Sequence, residues 1–198
     1  DTVESLHQAI AMGVDQAIRV IDPGLDDTDA FGNAQILAAA VQQVGDFDAV
    51  LCGRQAGDVE MGLVGTFLAE ELDLPCATIL ANIEPENGKV RTRRSVDAGY
   101  EVLETSMPFV ATVTNDESNV PRYASVRGML AARRAEIPVW SVDDLGLDTS
   151  ALGLSSAQIE MEALFIPEHE VECHLIEGDT GPEKARNLVE YLQQEKVI

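Results

Sequence analysis

The feature that most constrains the fold is a short apolar run, Ala49–Cys52, that stops at Gly53. A polar loop follows it, and apolar residues then recur at helical spacing over Gly62–Leu72, with Pro75 just beyond. A short apolar run that ends at glycine indicates a buried strand, and proline is typical of the residues after a helix. This stretch therefore predicts one strand–loop–helix unit of an α/β protein.

A second unit of the same kind lies directly upstream. Ala17–Ile21 has the composition of a strand, and Ala30–Val44 places its apolar residues on one helical face. A helix over Thr2–Met12 precedes both. Strands and helices in alternation are typical of a parallel sheet that helices cover. We therefore predict a three-layer α/β/α fold with a mostly parallel, Rossmann-like sheet.

The middle of the chain departs from this alternation. Strand patterns cover Ala77–Ile83, Lys89–Val96 and Tyr100–Thr105, and only the turn at 97–99 separates the last two. Two strand patterns joined by so short a turn predict a β-hairpin. Phe109–Thr114 is an apolar strand that we expect to return to the main sheet.

The last part of the chain is irregular after Trp140. We divide the chain into an α/β domain, residues 1–140, and a C-terminal region, residues 141–198. The second region is predicted to be an extended arm, then a strand over Val171–Ile176 and a helix over Glu183–Glu195. Because the sequence starts at Asp1 and opens within a helical pattern, we expect the natural protein to extend further upstream.

The acidic composition excludes several classes of partner. The chain has 13 Lys and Arg against 35 Asp and Glu, a formal net charge of −22, and it is 45% hydrophobic. Such a surface repels nucleic acids and anionic lipids. Its three cysteines lack CxxC spacing, and no apolar run is long enough to cross a membrane. We expect a cytoplasmic protein that binds neither nucleic acid nor membrane.

The loop after Gly53 is a candidate phosphate site. Ligands of open α/β sheets bind beyond the carboxyl ends of the strands, and a helix has free N–H groups in its first turn. Asp58 or Glu60 could accept a hydrogen bond from a ribose, and Arg54 offsets their charge. The spacing is neither GxGxxG nor that of a P-loop, and acidic residues before a helix are also ordinary caps. The predicted cofactor contacts are Gly53, Arg54, Gln55, Ala56, Asp58, Glu60, Met61, Gly62, Leu63, Val64 and Gly65.

Four stretches of the chain carry a resemblance to a known family. They read CGRQAGDVEMGLVGTFLAEEL, AIAMGVDQAIRV, RRSVDAGYEVLETSMPFVATVTNDESNVPRYASVRGMLAARRAEI and VDDLGLD. Together they cover about Glu4 to Asp148, and they resemble the beta subunits of electron-transfer flavoproteins. The resemblance implies a heterodimer with an alpha subunit that carries FAD, around which the C-terminal arm of this chain wraps.

The resemblance also implies an electron carrier that has no catalytic residues of its own. Electrons would come from flavin-dependent acyl-CoA-type dehydrogenases, as in fatty acid oxidation. The loop Gly53–Val64 would contact an adenosine and a phosphate, which belong to AMP or, in electron-bifurcating members, to a second FAD. Met61 and Leu63 stand where members often have Thr, Asn or Gln, so we expect backbone contacts at these two positions.

The segment 115–137 is the second candidate region. Val126, Met129 and Leu130 give its short helix, predicted over Val126–Ala135, an apolar side, which a helix packed on its own domain would also have. The resemblance implies instead a recognition loop that docks dehydrogenases, with Val126 in place of a common leucine anchor. The predicted partner contacts are Pro121, Arg122, Tyr123, Val126, Met129, Leu130, Arg133 and Arg134.

Two other functions remain open from the residues. A nucleotide hydrolase or adenylating enzyme would need a lysine near the loop, and the lysines are only Lys89, Lys184 and Lys196. An ATP-binding module of the universal-stress type would be a homodimer without flavin. His169, Cys173 and His174 could suggest a metal site. However, His169, Val171, Cys173 and Leu175 alternate as the residues of a half-buried strand do, so we predict no metal.

Overall fold

The computed structural model describes residues 2–25, 28–117, 120–148, 150, 152–153, 157–159, 161–167 and 173–198. The chain forms two compact units, residues 1–160 and 161–198. The functional boundary that we expect at residue 140 stays a prediction. No helix among these described residues is long and apolar enough to cross a membrane.

The helices and strands of the first unit follow the predicted order. In chain order they are α1 (Thr2–Ala11), β1 (Arg19–Val20), α2 (Ala30–Val44), β2 (Ala49–Gly53), α3 (Val64–Glu71), β3 (Cys76–Glu86), β4 (Lys89–Val96), β5 (Gly99–Ser106), β6 (Phe109–Val113), α4 (Val126–Ala132) and β7 (Val139–Trp140). Helix α2 has the predicted bounds, whereas β1 is shorter than the predicted strand at Ala17–Ile21.

The strands form a five-stranded sheet in the order β2-β6-β3-β4-β5 and a separate pair of β1 and β7. β6 runs parallel to both of its neighbours, β1 is parallel to β7, and β4 is antiparallel to β3 and β5. Three of the five pairings between described strands are thus parallel. This confirms an α/β fold with a mostly parallel sheet flanked by helices, consistent with a three-layer Rossmann-like architecture.

The hairpin predicted at residues 97–99 is confirmed, and β3 forms a second hairpin with β4. β3 was predicted to end at Ile83 but continues to Glu86, because Asn87 and Gly88 supply the two-residue turn. Both turn residues have positive φ, 48° and 82°, as the tight turns of hairpins require. The predicted end of this strand at Ile83 was therefore wrong. Phe109–Val113 does return to the main sheet, between β2 and β3, as predicted.

Two apolar clusters hold the parallel part of the sheet and its helices. Leu80, Val90 and Phe109 are buried together where the hairpins meet the sheet. Between α2 and α3, Leu68 packs on buried alanines of α2, and the rings of Phe31 and Phe67 meet edge to face at 5.8 Å. These contacts fix α3 on α2 and β2, and hence fix where the loop between β2 and α3 must run.

Helix α4 is fixed by close contact with α1. A Cβ added to Gly128 would lie 2.2 Å from the carbonyl oxygen of Ala11, so only glycine permits this approach. Ser125 caps the helix, since its Oγ accepts the N–H of Gly128 at 3.0 Å. The helix ends at Ala132 and not at the predicted Ala135.

The second unit contains a helix, α5, over Gly181–Gln194, close to the predicted bounds. Thr180 caps it, and Glu183 accepts the N–H of Asp179 at 3.0 Å, which together resemble a capping box. The predicted strand is wrong over residues 173–176, which are irregular, and residues 171–172 lie outside the described part. His169 also lies outside it, and no cluster of potential metal ligands occurs among the described residues.

Candidate functional site

The candidate loop begins at the edge of the sheet where ligands of α/β proteins bind. Gly53 is the last residue of β2 and lies opposite Val113, the last residue of the parallel strand β6. The N–H of Arg54 then donates to the carbonyl of Val113 at 2.9 Å, so the loop leaves the sheet just past both carboxyl ends. The predicted position of the loop at the carboxyl edge is therefore confirmed.

The loop turns back on its own start. The N–H of Glu60 donates to the carbonyl of Ala56 at 3.2 Å, which makes one closed turn. Glu60 and Gly62 have positive φ, 55° and 65°, and a Cβ on Gly62 would lie 3.4 Å from the carbonyl oxygen of Arg54. The two ends of the loop therefore lie side by side, and the beginning of α3 lies next to the end of β2.

Helix α3 begins at Val64, two residues later than predicted, because the left-handed backbone of Gly62 cannot belong to a right-handed helix. Leu63 occupies the cap position and makes no side-chain cap. The hydroxyl of Thr66 donates to the carbonyl of Leu63 at 2.8 Å and accepts no first-turn N–H. The N–H groups of the first turn thus point out of an uncapped helix end, which suits an anion.

Space in front of the strand end is open. A Cβ added to Gly53 would meet no atom within 4 Å, so packing within the chain does not require glycine there. Most of the predicted cofactor contacts, from Gly53 to Met61, are exposed, and Gly62, Leu63 and Val64 are half-buried. The predicted residues thus come together around one accessible edge, as a phosphate with its sugar requires.

The side chains of the loop carry no net positive charge. One arginine, Arg54, precedes two carboxylates in sequence, Asp58 and Glu60, and no lysine is near. One oxygen of Asp58 accepts the N–H of Val59 at 2.8 Å, so this side chain already stabilises the turn. The first turn of α3 is the positive end of the helix dipole, which carries about half a unit charge and favours negative groups near it.

Gly65 has a packing role that the sequence did not reveal. It is buried, and a Cβ there would lie 2.5 Å from Cγ2 of Thr112 and 3.4 Å from Cβ of Cys52. Glycine at this position therefore lets α3 lie directly on β2 and β6. Its predicted contact with a phosphate stays a prediction.

Thr112 is a supporting residue that sequence reasoning missed. Its buried hydroxyl accepts the N–H of Ile79 at 2.9 Å, at a bulge in β3 where Ile79 has a φ of 58°. A β-branched residue rarely adopts this backbone conformation. The one indication of this role in the sequence is a hydroxyl within an otherwise apolar strand. Thr112 lies where β3, β6 and α3 meet below the candidate site.

The cysteine at the end of β2 is a packing residue. Burial, with Cys76 nearby as the smaller cause, raises the pKa of the Cys52 thiol. The thiol is therefore protonated at neutral pH and is a weak nucleophile.

An apolar groove of about 660 Å³ runs beside β2 and α2, with Val64 in its lining. Aliphatic and aromatic side chains form nearly all of it, and Asn33 is the one side-chain amide among its described lining residues. Ribose and phosphate need several hydrogen-bond partners, which this groove does not offer. Of the two regions, the loop Gly53–Val64 is the one that exposes several polar groups.

Residues 120–134 of the second candidate region are called the docking segment below. All eight predicted partner contacts in it are exposed, and Tyr123 and Val126 reach 94% and 71%. Helix α4 faces α1 with Gly128, and Ala132 is buried. The apolar side formed by Val126, Met129 and Leu130 is therefore not the side that packs on the chain itself.

Comparisons with known proteins show what this chain is similar to. The family model described as Electron transfer flavoprotein domain matches residues 1–145. The chain is 34% identical over 195 residues to the electron transfer flavoprotein subunit beta of Thermoanaerobacterium thermosaccharolyticum, and equally so to the caffeyl-CoA reductase-Etf complex subunit CarD of Acetobacterium woodii. It is 30% identical over 194 residues to the electron transfer flavoprotein subunit beta of Clostridium acetobutylicum. Each match covers 98% of this chain and 74% of the relative.

Proposed function

Because this chain belongs to the electron transfer flavoprotein family and is related to its beta subunits, we propose that it binds an adenine nucleotide through the loop Gly53–Val64 and pairs with an FAD-carrying alpha subunit. Members of this family are electron carriers and do not themselves transform a substrate. The family also implies a flavin and an alpha subunit as partner. In this proposal the heterodimer carries electrons from a dehydrogenase to a downstream acceptor in the cytoplasm.

The observation that carries the nucleotide site is the uncapped end of α3 beside the open strand end at Gly53. The N–H groups of Val64, Gly65 and Thr66 have no partner within the helix and would donate to the phosphate. Gly53 would let the phosphate approach the backbone. One carboxylate oxygen of Asp58 accepts the N–H of Val59, and the other would accept a hydrogen bond from a ribose hydroxyl.

AMP and FAD share the adenosine and phosphate that this loop is proposed to hold. The chain therefore fits either a structural AMP or a second FAD of the bifurcating kind. When bound, flavin supplies the electron transfer chemistry, and the protein supplies position and electrostatics. The residues named above bind and orient the nucleotide, and Met61 and Leu63 contribute backbone groups.

The docking segment is proposed to bind a flavin-dependent dehydrogenase of the acyl-CoA type. Its exposed apolar residues form the kind of surface that marks a protein interface. Arg122, Arg133 and Arg134 add positive charge to an otherwise acidic protein, which would steer it toward an acidic partner. The Acetobacterium woodii relative supports this class of partner, since its name places it in a complex with a caffeyl-CoA reductase.

The region after residue 140 is proposed to be the arm that wraps the alpha subunit. Leu164, Phe165 and Ile166, in the second unit, are all highly exposed. Three consecutive exposed apolar residues are typical of a segment that a partner covers. The family relationship supports the alpha subunit as this partner.

The experiment that tests the proposal is the nucleotide content of the complex. The protein is purified with its alpha subunit and denatured, and the released nucleotides are quantified by chromatography per mole of heterodimer. One FAD and one AMP would support an ordinary electron carrier, and two FAD without AMP a bifurcating one. A homodimer that releases ATP and no flavin would contradict the proposal and support the universal-stress type of binding module.

A further inference from the structure

Three side chains join the β4–β5 hairpin to the loop that leads into the docking segment. Arg93 and Tyr100 lie diagonally across the hairpin, since Arg93 pairs with Val102 and Ser95 with Tyr100. The guanidinium carbon of Arg93 lies 4.5 Å from the centroid of the Tyr100 ring. Both side chains then reach a carboxylate outside the hairpin, that of Asp116.

Asp116 is held through both of its oxygens. The hydroxyl of Tyr100 donates to Oδ2 at 2.9 Å, and Nη2 of Arg93 lies 3.6 Å from Oδ1. The Asp116 side chain is only 10% exposed, so these contacts are more shielded from water than a surface ion pair. Together with the contact of Arg93 with the ring, they close a triangle between hairpin and loop.

The Tyr100 hydroxyl remains a hydrogen-bond donor at physiological pH. Its hydrogen bond to Asp116, and secondarily the negative charge of Asp116, raise the pKa of Tyr100. The ordinary pKa of tyrosine is already about 10. The donor is therefore present at every pH at which the protein would work.

Asp116 holds the entry of the docking segment, and its exit is held separately. Asp116 lies four residues before Val120 in the sequence. At the other end, Ser125 caps α4, and Gly128 seats this helix against Ala11 of α1. Residues 120–124, of which 120–123 are exposed, thus lie between two anchored points of the chain, and the first of these is held by the hairpin.

We propose that Tyr100 and Arg93 are positioning residues for the docking segment, which they hold through Asp116 in the arrangement that a partner protein recognises. The inference rests on the proposed role of this segment in docking. A surface loop that is ordered before binding loses less conformational entropy when it binds. The hairpin would thus contribute to affinity for the dehydrogenase without touching it.

The triangle is not needed to form the hairpin itself. β4 and β5 are paired along their whole length, from Lys89 opposite Ser106 to Val96 opposite Gly99. The ion pair between Lys89 and Glu104 also links the two strands, at the end away from Asp116. Loss of the Tyr100 hydroxyl should therefore release the loop and leave the fold intact.

The test compares Tyr100→Phe with Glu104→Gln in the purified heterodimer. Tyr100→Phe removes only the hydroxyl that reaches Asp116, and the matched control removes a hairpin contact that does not reach the loop. Hydrogen exchange of residues 114–124 and affinity for an acyl-CoA dehydrogenase of the source organism, reduced with butyryl-CoA, are measured. We expect Tyr100→Phe alone to speed exchange in 114–124 and to weaken binding about three- to tenfold, the worth of one hydrogen bond.

A third variant, Tyr123→Ala, separates this inference from the proposed function. If Tyr123→Ala weakens binding and Tyr100→Phe changes neither exchange nor affinity, the positioning role is wrong and the docking surface stands. If none of the variants alters affinity, both the docking surface and the positioning role are contradicted. Faster exchange throughout β4 and β5 in Tyr100→Phe would also overturn the inference, because it would show a general structural role.

Discussion

At the scale of single residues, Thr112 connects the bulge of β3 to the seat of α3. We predict that Thr112→Val lowers the free energy of unfolding by about 1–3 kcal/mol, because the N–H of Ile79 loses its buried acceptor while the shape is conserved. Chemical denaturation measures this difference. Thr92→Val is the matched control, since Thr92 is equally buried but its hydroxyl makes only a 3.5 Å contact with Leu103. Equal losses in both variants would contradict the role assigned to Thr112.

Gly65 gives a second prediction at this scale. We expect Gly65→Ala to destabilise the protein by about 1–3 kcal/mol, because its methyl group would overlap Thr112 and push α3 away from the sheet. Gly57→Ala, in the same loop, meets no atom within 4 Å and should be nearly neutral. Thermal unfolding of both variants checks this pair, and an unchanged melting temperature for Gly65→Ala would show that the helix does not need this close approach.

The residues of the site could be predicted from the sequence only where local rules apply. Gly53 and the loop to Val64 follow from a strand that ends at glycine before a helix. The contact of Thr112 with Ile79 joins residues 33 positions apart, and the positive φ of Ile79 opposes its own preference. Tertiary structure determines both the hydrogen bond and the positive φ, so a local sequence pattern cannot predict either of them.

At the scale of elements, Asp29 joins α2 to the chain at residues 158–159. Its Oδ1 accepts the N–H of Gly32 at 2.9 Å, and Oδ2 accepts the N–H groups of Gln158 and Ile159 at 2.7 and 3.2 Å. Partial burial acts to raise the pKa of Asp29, but these backbone hydrogen bonds outweigh it and lower the pKa. The ionised carboxylate is therefore the form that stabilises the folded state.

We predict that Asp29→Asn costs stability at neutral pH and that the cost shrinks as the pH falls. A depressed pKa contributes stability above the unfolded value of about 3.9, and this contribution is lost as the pH falls through the folded value. Unfolding free energies of both proteins between pH 7 and pH 3 give the comparison. Ser125→Ala, a cap that does not titrate, should cost about 1 kcal/mol at each pH. A cost of Asp29→Asn that is independent of pH would contradict the account.

The order of the elements was predictable, and several of their ends were not. Apolar periodicity gave α2 its bounds, because a long amphipathic pattern constrains a helix strongly. The predicted start of α3 was too early, because the sequence does not show that the backbone of Gly62 is left-handed. The predicted strand ended too early, at Ile83, because proline is typical of turns. In the structure Pro85 pairs with Val90 in the antiparallel hairpin.

At the scale of the whole molecule, the net charge of −22 dominates the electrostatics. Self-repulsion of like charges opposes the compact state, and salt screens it over a Debye length of about 10 Å at 0.1 M. We predict that the melting temperature rises as NaCl increases from 0.01 to 0.5 M (about 30 to 4 Å of screening length). A melting temperature that falls over this range would show that ion pairs such as Arg93–Asp116 outweigh the repulsion.

The sequence predicted the fold class and the place of the loop from physical patterns alone. The flavin, the nucleotide and the partners came from the family resemblance, because a phosphate loop without lysine has no motif of its own. The uncapped end of α3 explains how such a loop can still hold an anion. We therefore propose that this helix end and Gly53 together form the nucleotide site.

The position of the nucleotide site is tested most directly by measuring the nucleotide content of heterodimers that carry Gly53→Val or Gly57→Val. Both glycines have open space around them, so neither change should disturb the chain itself. We predict that the Gly53→Val heterodimer loses the AMP, or the second of two FADs, and keeps the FAD of the alpha subunit. The Gly57→Val heterodimer should keep all of its nucleotides. A Gly53→Val heterodimer that keeps its complete set of nucleotides would contradict the account.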